Sequence, residues 1–516
     1  MVVFEQALAK TPQVPEVGVV TDALGSLSAD VLVIMVQEGC QSSEGLRAAF
    51  GERLAAVLDT GDFRGRASEM LWVHLPDQAI KRILLVGAGS VSRRGLEALR
   101  EAAGCAARCV RDAGLQRMIL AWPSTWVWSK GDPGVEAIAE ALAEGALLSV
   151  YRLDGYRTRL DEGLNRLEGV LVWSLPESEP MVVLGVERAR VVAESVAIAR
   201  TLILHPGGHL PPLRLASEVR RLCEPLGLNV RVLDREALKA GGYGAILAVA
   251  QGSHEEPCLI EIEYQGSKEA APIALIGKGI TFDSGGIGIK PSKGMEKMKY
   301  DKAGGAAVIA TIIAAARLGV PWHIVGVVAA AENMPSETAA RPGDVITTLS
   351  GLTVEFNDTD AEGRMVLADA LTHALRHWQP QAVIDAATLT GTVTYALGRD
   401  IMGVMGNHEE LTQRILEAGE RGGDRGWPLP LDDTFDDMLK SEIADLLNYP
   451  GSAASCITAG SFLKQFINNT PWVHLDIAGV AWAPNDSPHR PKGPTGAPIR
   501  MLLELLGRWR PLAPTH

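Results

Sequence analysis

"VEFNDTDAEGRMVLADALTHAL", residues 354–375, changes its period partway along. VEF has the character of an extended strand. From about Gly363 the apolar residues Leu367, Leu371 and Leu375 recur four apart and share one face of a helix. The turn between them holds Asp358, Asp360 and Glu362. Glu355 stands on the strand, where a solvated or paired acid is expected, and Arg364 stands just inside the helix. Strand, acidic turn and helix make up the unit of an α/β protein, and such proteins place their chemistry at strand ends.

The same alternation recurs outward from this stretch. PIALIG (272–277), HIVGVVAA (323–330), AVIDAA (382–387) and WVHLDIAG (472–479) are apolar runs of strand length set between helical patterns. They predict a sheet buried on both faces, with Lys278 directly after the first strand. Residues 302–319 read as an Ala-rich helix opened by Asp301. The apolar stretch 305–331 is broken by Arg317, Pro321 and His323, so it reads as a buried helix and a strand rather than a membrane span. Toward the N-terminus, VLVIMV (31–36), RILLVGAG (82–89), RMILAW (117–122) and GVLVWS (169–174) alternate with helical segments such as 92–114. LPESEP (175–180), with two prolines, reads as a linker, and 187–203 as the helix that follows. The predicted organisation is a smaller N-terminal α/β domain over 1–176 and a larger domain over 177–516, which carries the richer motifs. The larger domain is expected to be a mixed β-sheet sandwiched between helices.

At 516 residues, two or more domains are expected, and 47% hydrophobic against 22% charged residues is an ordinary globular balance. The formal net charge of −13 favours solubility and disfavours non-specific nucleic-acid binding. The six cysteines include no CxxC pair, so neither a zinc knuckle nor a disulfide framework is indicated. Cys105 and Cys109, four apart in an Ala-rich helical stretch, read as buried small residues. MVVFEQALAK (1–10) lacks a basic segment followed by an apolar core, so no signal peptide is expected. A reducing cytoplasm fits the sparse cysteines.

Three segments carry acids amid glycines: GKGITFDSGGIGIKPSKGMEKMKYDKAGG (277–305), ENMPSETAARPGD (332–344) and the opening stretch. Asp283, Asp301, Asp360 and Glu362 together carry four negative charges, which two divalent cations would balance. Without metal, such a cluster would raise its own pKa values. Helix capping explains Asp301 or Glu362 singly, but not the gathering of separate segments. The residues therefore predict a dinuclear site able to activate water and to polarise a carbonyl or phosphoryl oxygen. Lys290 and Arg364 are the candidate cations for a developing oxyanion. Spacing alone leaves peptide and phosphate-ester hydrolysis both open.

GKGITFDSGGIGIKPS, MKYDKAGGAA, ENMPS with RPGD, TDAEGR, ATLTG and HLDIAG occur in that order. Together they closely resemble the leucyl aminopeptidase family, the cytosolic two-metal aminopeptidases. The resemblance covers 190–510, and EGALLSVYRLDGY (144–156) adds a weaker likeness near the end of the N-terminal domain. It implies metal ligands at Lys278, Asp283, Asp301, Asp360 and Glu362. The looser site would use Asp283, Asp301, Glu362 and Asp360, the last through its main-chain carbonyl as well. The tighter site would use Lys278, Asp283, Asp301 and Glu362, with Lys278 neutral because metal charge depresses its pKa. Two divalent ions per subunit are implied, Zn²⁺ or Mn²⁺, with Mg²⁺ or Co²⁺ as further candidates for the looser site.

The same resemblance assigns Lys290 to the substrate carbonyl oxygen and the oxyanion, and Arg364 to a bicarbonate ion that serves as general base. Met298, Thr388 and Gly391 would line the pocket for the first side chain, with Asp358 and Leu389 also at the substrate. Substrates would be short peptides with a free N-terminus, whose α-amine binds a metal and an acid of the cluster. Leucine-like first residues would be preferred, within the ~1–3 kcal/mol per methylene that an apolar pocket provides. The family implies a homohexamer, a dimer of trimers, with the N-terminal domain over 1–176 serving assembly or regulation and 177–516 as the catalytic domain. A DNA-binding or recombination-accessory role, known for some bacterial relatives, is a separate possibility that the acidic charge weighs against. The motif order and the amine-binding logic weigh against a two-metal phosphoesterase.

Some residues depart from the pattern or compete with it. Asp358 stands where the family usually has Asn. It adds a charge that is expected to strengthen metal or amine binding and to shift the pH optimum, while Lys302, in place of a commoner Met, would offset it. HPGGH (205–209) reads as a turn rather than a His205–His209 ligand pair, since Pro206 and two glycines break helical spacing. His474 and Asp476 alternate on a strand, and His474 is expected to be a hydrogen-bonded core histidine. DSGG (283–286) lacks the His/Asp partners of a serine nucleophile. GAGS (87–90) lacks the third glycine of a phosphate loop and reads as a strand-end turn.

Overall fold

The computed structural model of the chain describes residues 14–39, 54, 56, 59–122, 132–153, 156–157, 165–267 and 269–512. The stretch 1–10, read above for a signal, lies outside them. The chain divides into two compact units, Met1–Ala197 with Pro484–Lys492 and Ile198–Ala483 with Gly493–His516. LPESEP is not a linker. Pro176–Ser178 form a short 3-10 turn, and a helix runs on from Glu179 to Leu204. Pro180 lies in the first turn of that helix, where a missing N–H costs nothing, so the proline starts the helix instead of breaking it.

The first unit is built on six strands: β1 (Glu16–Val20), β2 (Val31–Gln37), β3 (Met70–His74), β4 (Arg82–Gly89), β5 (Arg117–Ala121) and β6 (Gly169–Trp173). Their order is β1-β6-β5-β2-β4-β3, parallel except for the β3–β4 pair. The central strand β2 is buried at every position but Gln37, as its unbroken apolar run requires. GAGS is not a strand-end turn: Gly87–Gly89 are the last residues of β4, still paired with β2, and Ser90 leads directly into a four-residue helix, Val91–Arg94. Helix α1 (Leu96–Asp112) carries Cys105 buried and Cys109 half-buried, both as free thiols.

The second unit centres on eight strands: β7 (Asn229–Leu233), β8 (Cys258–Tyr264), β9 (Ile273–Asp283), β10 (Ile324–Asn333), β13 (Ala382–Ala387), β14 (Met402–Gly406), β15 (Gly426–Pro428) and β17 (Trp472–Asp476). Their order is β15-β14-β17-β13-β9-β10-β8-β7. The middle pairs β10–β9, β9–β13 and β13–β17 are parallel, while β7–β8, β8–β10 and β14–β17 are antiparallel, so the sheet is mixed. Strands β10, β13 and β17 are buried at every position. A separate small sheet joins β11 (Asp344–Thr347), β12 (Thr353–Phe356) and β16 (Leu446–Leu447). Among the described residues no helix is long and apolar enough to cross a membrane.

One element is longer than the apolar run suggested. β9 does not stop at Gly277 but pairs with β10 as far as Asp283↔Asn333, with a register slip between Ala331 and Glu332. Lys278 therefore lies inside the strand and Asp283 at its end. Asp301 likewise does not cap a helix. It sits in a 3-10 segment, Met295–Lys302, that precedes helix α2 (Ala303–Arg317). That helix can start so close to the sheet because residue 304 is glycine. A Cβ there would lie 1.9 Å from the Ala386 carbonyl oxygen. Helix α3 (Glu362–Trp378) places Met365, Val366, Leu367 and Leu371 in one core with Ile276, Val383 and Trp472. Its Asp369 is an anchor. One carboxylate oxygen accepts N–H bonds from Ala245 and Ile246, and the other accepts one from Leu349.

Candidate functional site

The parallel strands end where the acids gather. Lys278 comes from β9, Asp283 from its last position, Asp301 from the 3-10 segment, Asp360 from the turn after β12, and Glu362 from the first residue of α3. Asp283, Asp301 and Glu362 are buried, and each offers an oxygen within 4.8 Å of the other two. The Lys278 ammonium lies 2.8 Å from both Asp301 Oδ2 and Glu362 Oε1, and donates to the Thr388 carbonyl at 3.0 Å. Gly363 makes room for it, since a Cβ there would come 2.7 Å from Lys278 Nζ. The Lys290 ammonium bonds Asp283 Oδ2 at 2.7 Å and also reaches Asp360 Oδ1. Its side chain is 20% exposed against 3% for Lys278, so Lys290 faces the open side of the cluster.

These groups perturb one another strongly. Burial raises the pKa values of Asp283, Asp301 and Glu362, and neighbouring carboxylates add to the effect. Asp360 is pushed up to about 7 by burial, with Lys290 opposing and the Asp283 and Glu362 charges reinforcing. Burial works against the Lys278 ammonium, yet Asp301, Glu362 and Asp283 outweigh it and hold its pKa above the usual lysine range. Lys290 is raised in the same way, against burial, by Asp283, Glu362 and Asp360. The two lysines thus supply half the counter-charge of four acids. A metal cation beside Lys278 reverses its balance and favours the neutral amine.

Three polar side chains outside the predicted ligand set hold the acid-bearing segments together. Asn333 Nδ2 donates to Asp283 Oδ1 at 2.8 Å and to the Thr359 carbonyl at 3.0 Å. Thr359 Oγ1 donates to the Gly285 carbonyl and accepts from the Gly288 N–H, both at 2.8 Å. Fully buried Asn448 spans the acidic turn. Its Oδ1 accepts from the N–H groups of Asn357 (2.9 Å) and Asp358 (3.2 Å), and its Nδ2 donates to the carbonyls of Asp358 (2.7 Å) and Ala361 (3.3 Å). Asn333 stood within a motif read above, but its partners lie far along the chain. Asn448 follows an apolar stretch before Pro450 and Gly451, and locally it signals only a turn.

The other expected site residues fall around this cluster. Arg364 is buried in the first turn of α3 and donates from Nη1 to the Asn448 carbonyl at 2.7 Å. Its guanidinium carbon lies 5.9 Å from the Tyr449 ring centroid, and its Nε is buried with no partner among the described residues. Burial lowers its pKa to about 10, against the Glu362 and Asp358 charges. Asp358 Oδ1 accepts the Asp360 N–H at 2.9 Å, a turn contact that an asparagine oxygen makes equally well. Met298 is half-buried in the 3-10 segment and Gly391 is exposed, with open space where a Cβ would stand. Thr388 is buried, and its hydroxyl donates to Asp301 Oδ1 at 2.6 Å. The Leu389 N–H points to Asp476 Oδ1 at 3.3 Å.

Beneath the site, His474 Nδ1 meets Asp385 Oδ1 at 2.5 Å, and the Trp472 indole donates to Asp385 Oδ2 at 2.7 Å. Asp476 accepts from Thr390 Oγ1 at 2.6 Å. His474 is a fully buried, hydrogen-bonded core residue. Residues 206–209 form a turn closed by the His209 N–H on the Pro206 carbonyl at 2.9 Å. Lys302 does not offset Asp358. Its ammonium is turned the other way, onto the carbonyls of Lys299, His205 and Thr281. Burial, then the Lys299 charge, push its pKa down to about 7, while only the ammonium has three protons to give to three acceptors.

The cluster fits divalent metal. It offers hard carboxylate oxygens and one amine, gathered from separate segments inside 4.8 Å. Glu362 Oε2 is buried with no hydrogen-bond partner among the described residues, an oxygen left for a cation to claim. Repulsion among buried acids, only half countered by lysines, is relieved by the same cation.

Comparison with known proteins bears on this arrangement. A model of the cytosol aminopeptidase family's catalytic domain matches residues 197–503, and a model of that family's N-terminal domain matches residues 31–160. The chain is 40% identical over 490 residues to a probable cytosol aminopeptidase of Solibacter usitatus, covering 94% of this chain and 98% of that one. It is 41% identical over 492 residues to the cytosol aminopeptidase of Pseudomonas aeruginosa, covering 93% and 97%. Among solved structures, the bottromycin maturation enzyme BotP in complex with Mn superposes with a TM-score of 0.81 at 33% identity, covering 93% of this chain and 99% of that one. A mutant of tomato leucine aminopeptidase superposes with a TM-score of 0.84 at 28% identity, covering 97% of each chain.

Proposed function

The chain belongs to the cytosol aminopeptidase family and is a metal-dependent aminopeptidase; from that premise and the site geometry we propose that it releases apolar first residues, leucine foremost, from short peptides. The observation that carries this reading is the buried trio Asp283, Asp301 and Glu362, with the lysines Lys278 and Lys290 on either side. Lys278, Asp283, Asp301, Asp360 and Glu362 would hold two divalent ions, Zn²⁺ or Mn²⁺. Bound there, the ions supply Lewis acidity toward the peptide carbonyl and acidify water.

The chain's own residues do the remaining work. Lys290, on the open side of the cluster, donates to the carbonyl oxygen and stabilises the charge that grows on it. Arg364 is locked by the Asn448 carbonyl, and with a buried Nε that has no partner among the described residues it suits a small oxyanion. Bicarbonate held there would supply a general base. The acids bind the substrate's α-amine, which only the first residue of a peptide presents, and this restricts the enzyme to the N-terminus. Met298, Thr388, Leu389 and Gly391 border the space for the first side chain. A cytoplasmic location is in keeping with relatives that are cytosol aminopeptidases. Exposed apolar side chains on the second unit, Ile289, Trp427 and Ile443 among them, support a homo-oligomer, for which the hexamer is the reading native mass spectrometry would check.

The decisive experiment is hydrolysis of leucine p-nitroanilide by metal-free protein, then with Zn²⁺ or Mn²⁺ restored. Activity should appear only with metal. Folded protein that stays inactive with either ion would overturn the proposal.

A further inference from the structure

Lys302 is fully buried, one residue beyond Asp301, and among the described residues no carboxylate pairs with it. Its ammonium donates instead to three main-chain carbonyls: Lys299 at 2.7 Å, His205 at 3.0 Å and Thr281 at 3.4 Å. The three oxygens come from three separate segments. His205 follows the helix that ends at Leu204, Thr281 lies in β9 two residues before Asp283, and Lys299 lies in the 3-10 segment two residues before Asp301. Converging carbonyl oxygens can replace the hydration shell of a bare monovalent cation. Potassium and ammonium are nearly equal in size, so a cage that holds one can hold the other. Removing the charged head would take away the one donor on which the three carbonyls converge.

We propose that the Lys302 ammonium is a tethered cation, filling a carbonyl cage that would otherwise bind a free monovalent ion of the size of K⁺. The wild-type protein thereby carries its own ion and needs none from solution. The cage also ties the end of β9 to the 3-10 segment. It therefore sets the spacing of Asp283 and Asp301, a consequence that rests on the metal reading above, whereas the cage itself does not.

The test is thermal unfolding of metal-free wild type, K302M and K302A in KCl, NH4Cl and choline chloride at matched ionic strength. Choline is too large for the cage. Wild type should unfold at one temperature in all three salts. The variants should unfold lower in choline and rise saturably with K⁺ or NH4⁺, by about 4 °C at about a hundred times the Kd. Crystals of K302A soaked in rubidium salt should show an anomalous peak among the three oxygens. Equal melting temperatures of the variants in KCl and choline chloride would overturn the proposal, as would a wild-type rise of the same size. If a variant does not fold directly, its refolding yield in KCl against choline chloride reads the same point, and equal yields, including none in either, also overturn it. Leucine p-nitroanilide hydrolysis by metal-loaded wild type reports on the metal reading alone, so the two failures are distinguishable.

Discussion

Replacing Thr388 by valine separates two readings of one residue. The family resemblance puts Thr388 in the pocket for the first side chain. The structure turns its hydroxyl onto Asp301 Oδ1 at 2.6 Å and its carbonyl onto the Lys278 ammonium at 3.0 Å. Valine keeps the side-chain shape and removes only the O–H. A hydrogen bond to an ionised carboxylate contributes about 1.5–3 kcal/mol, and Asp301 is buried, so water does not readily replace it. That energy corresponds to about 10–100-fold, the range seen when the hydrogen-bond partners of metal ligands are removed. Metal-free T388V, titrated with Zn²⁺ or Mn²⁺ against a chelating dye, should therefore bind metal about 10–100-fold more weakly than wild type. Its preference for leucine over alanine and phenylalanine p-nitroanilides, compared as kcat/KM, should not change, and T388S should regain wild-type affinity. Unchanged metal affinity with an altered preference would refute the reasoning and return the hydroxyl to the substrate pocket.

Asn448→Ala strips four hydrogen bonds from the acidic turn. It should lower stability by about 3 kcal/mol in denaturant titration and reduce kcat more than it raises KM; a variant with wild-type kcat would show that the turn holds itself. Lys290→Ala should cost about 10²–10³ in kcat while metal binding, read by the same dye competition, persists. Asp358→Asn should keep the fold, since the contact to the Asp360 N–H survives, but should shift the pH–rate profile and weaken metal affinity; superimposable curves would sink that role for the extra charge. His205 is held neutral, its pKa lowered to about 4 chiefly by burial, so the folded state binds fewer protons than the unfolded one between about pH 6.5 and 4. Its contribution is complete above about pH 6.5 and falls by about 2 kcal/mol near pH 5. Melting temperatures of wild type should consequently drop faster on acidification than those of His205→Gln, and parallel curves would rule this out.

Much of the site was legible in the chain itself. The acids, the two lysines and Arg364 sit in ordered motifs, and the switch from period 2 to period 3.6 around residue 360 marked the strand–turn–helix that carries them. Local signals misjudged β9, because a strand's end is set by its partner: pairing with β10 carries it past two glycines to Asp283. They misjudged 175–180 because proline in a first turn and proline in a linker look alike in isolation. Asn333 stood in a motif and Asn448 in none, but neither role could be read locally, since their side-chain partners lie 26 to 91 residues away.

Sequence alone determined which residue types are available to a metal or a substrate, because charge and hard-oxygen chemistry belong to the side chains wherever they lie. It could not say which hydroxyl serves an acid rather than the substrate, or where a buried ammonium points. Thr388 reaches Asp301 across 87 residues, and Lys302 finds His205 across 97. Those choices follow from which segments the sheet brings side by side, and a hydrogen bond forms only where packing leaves a donor and an acceptor within about 3 Å of each other.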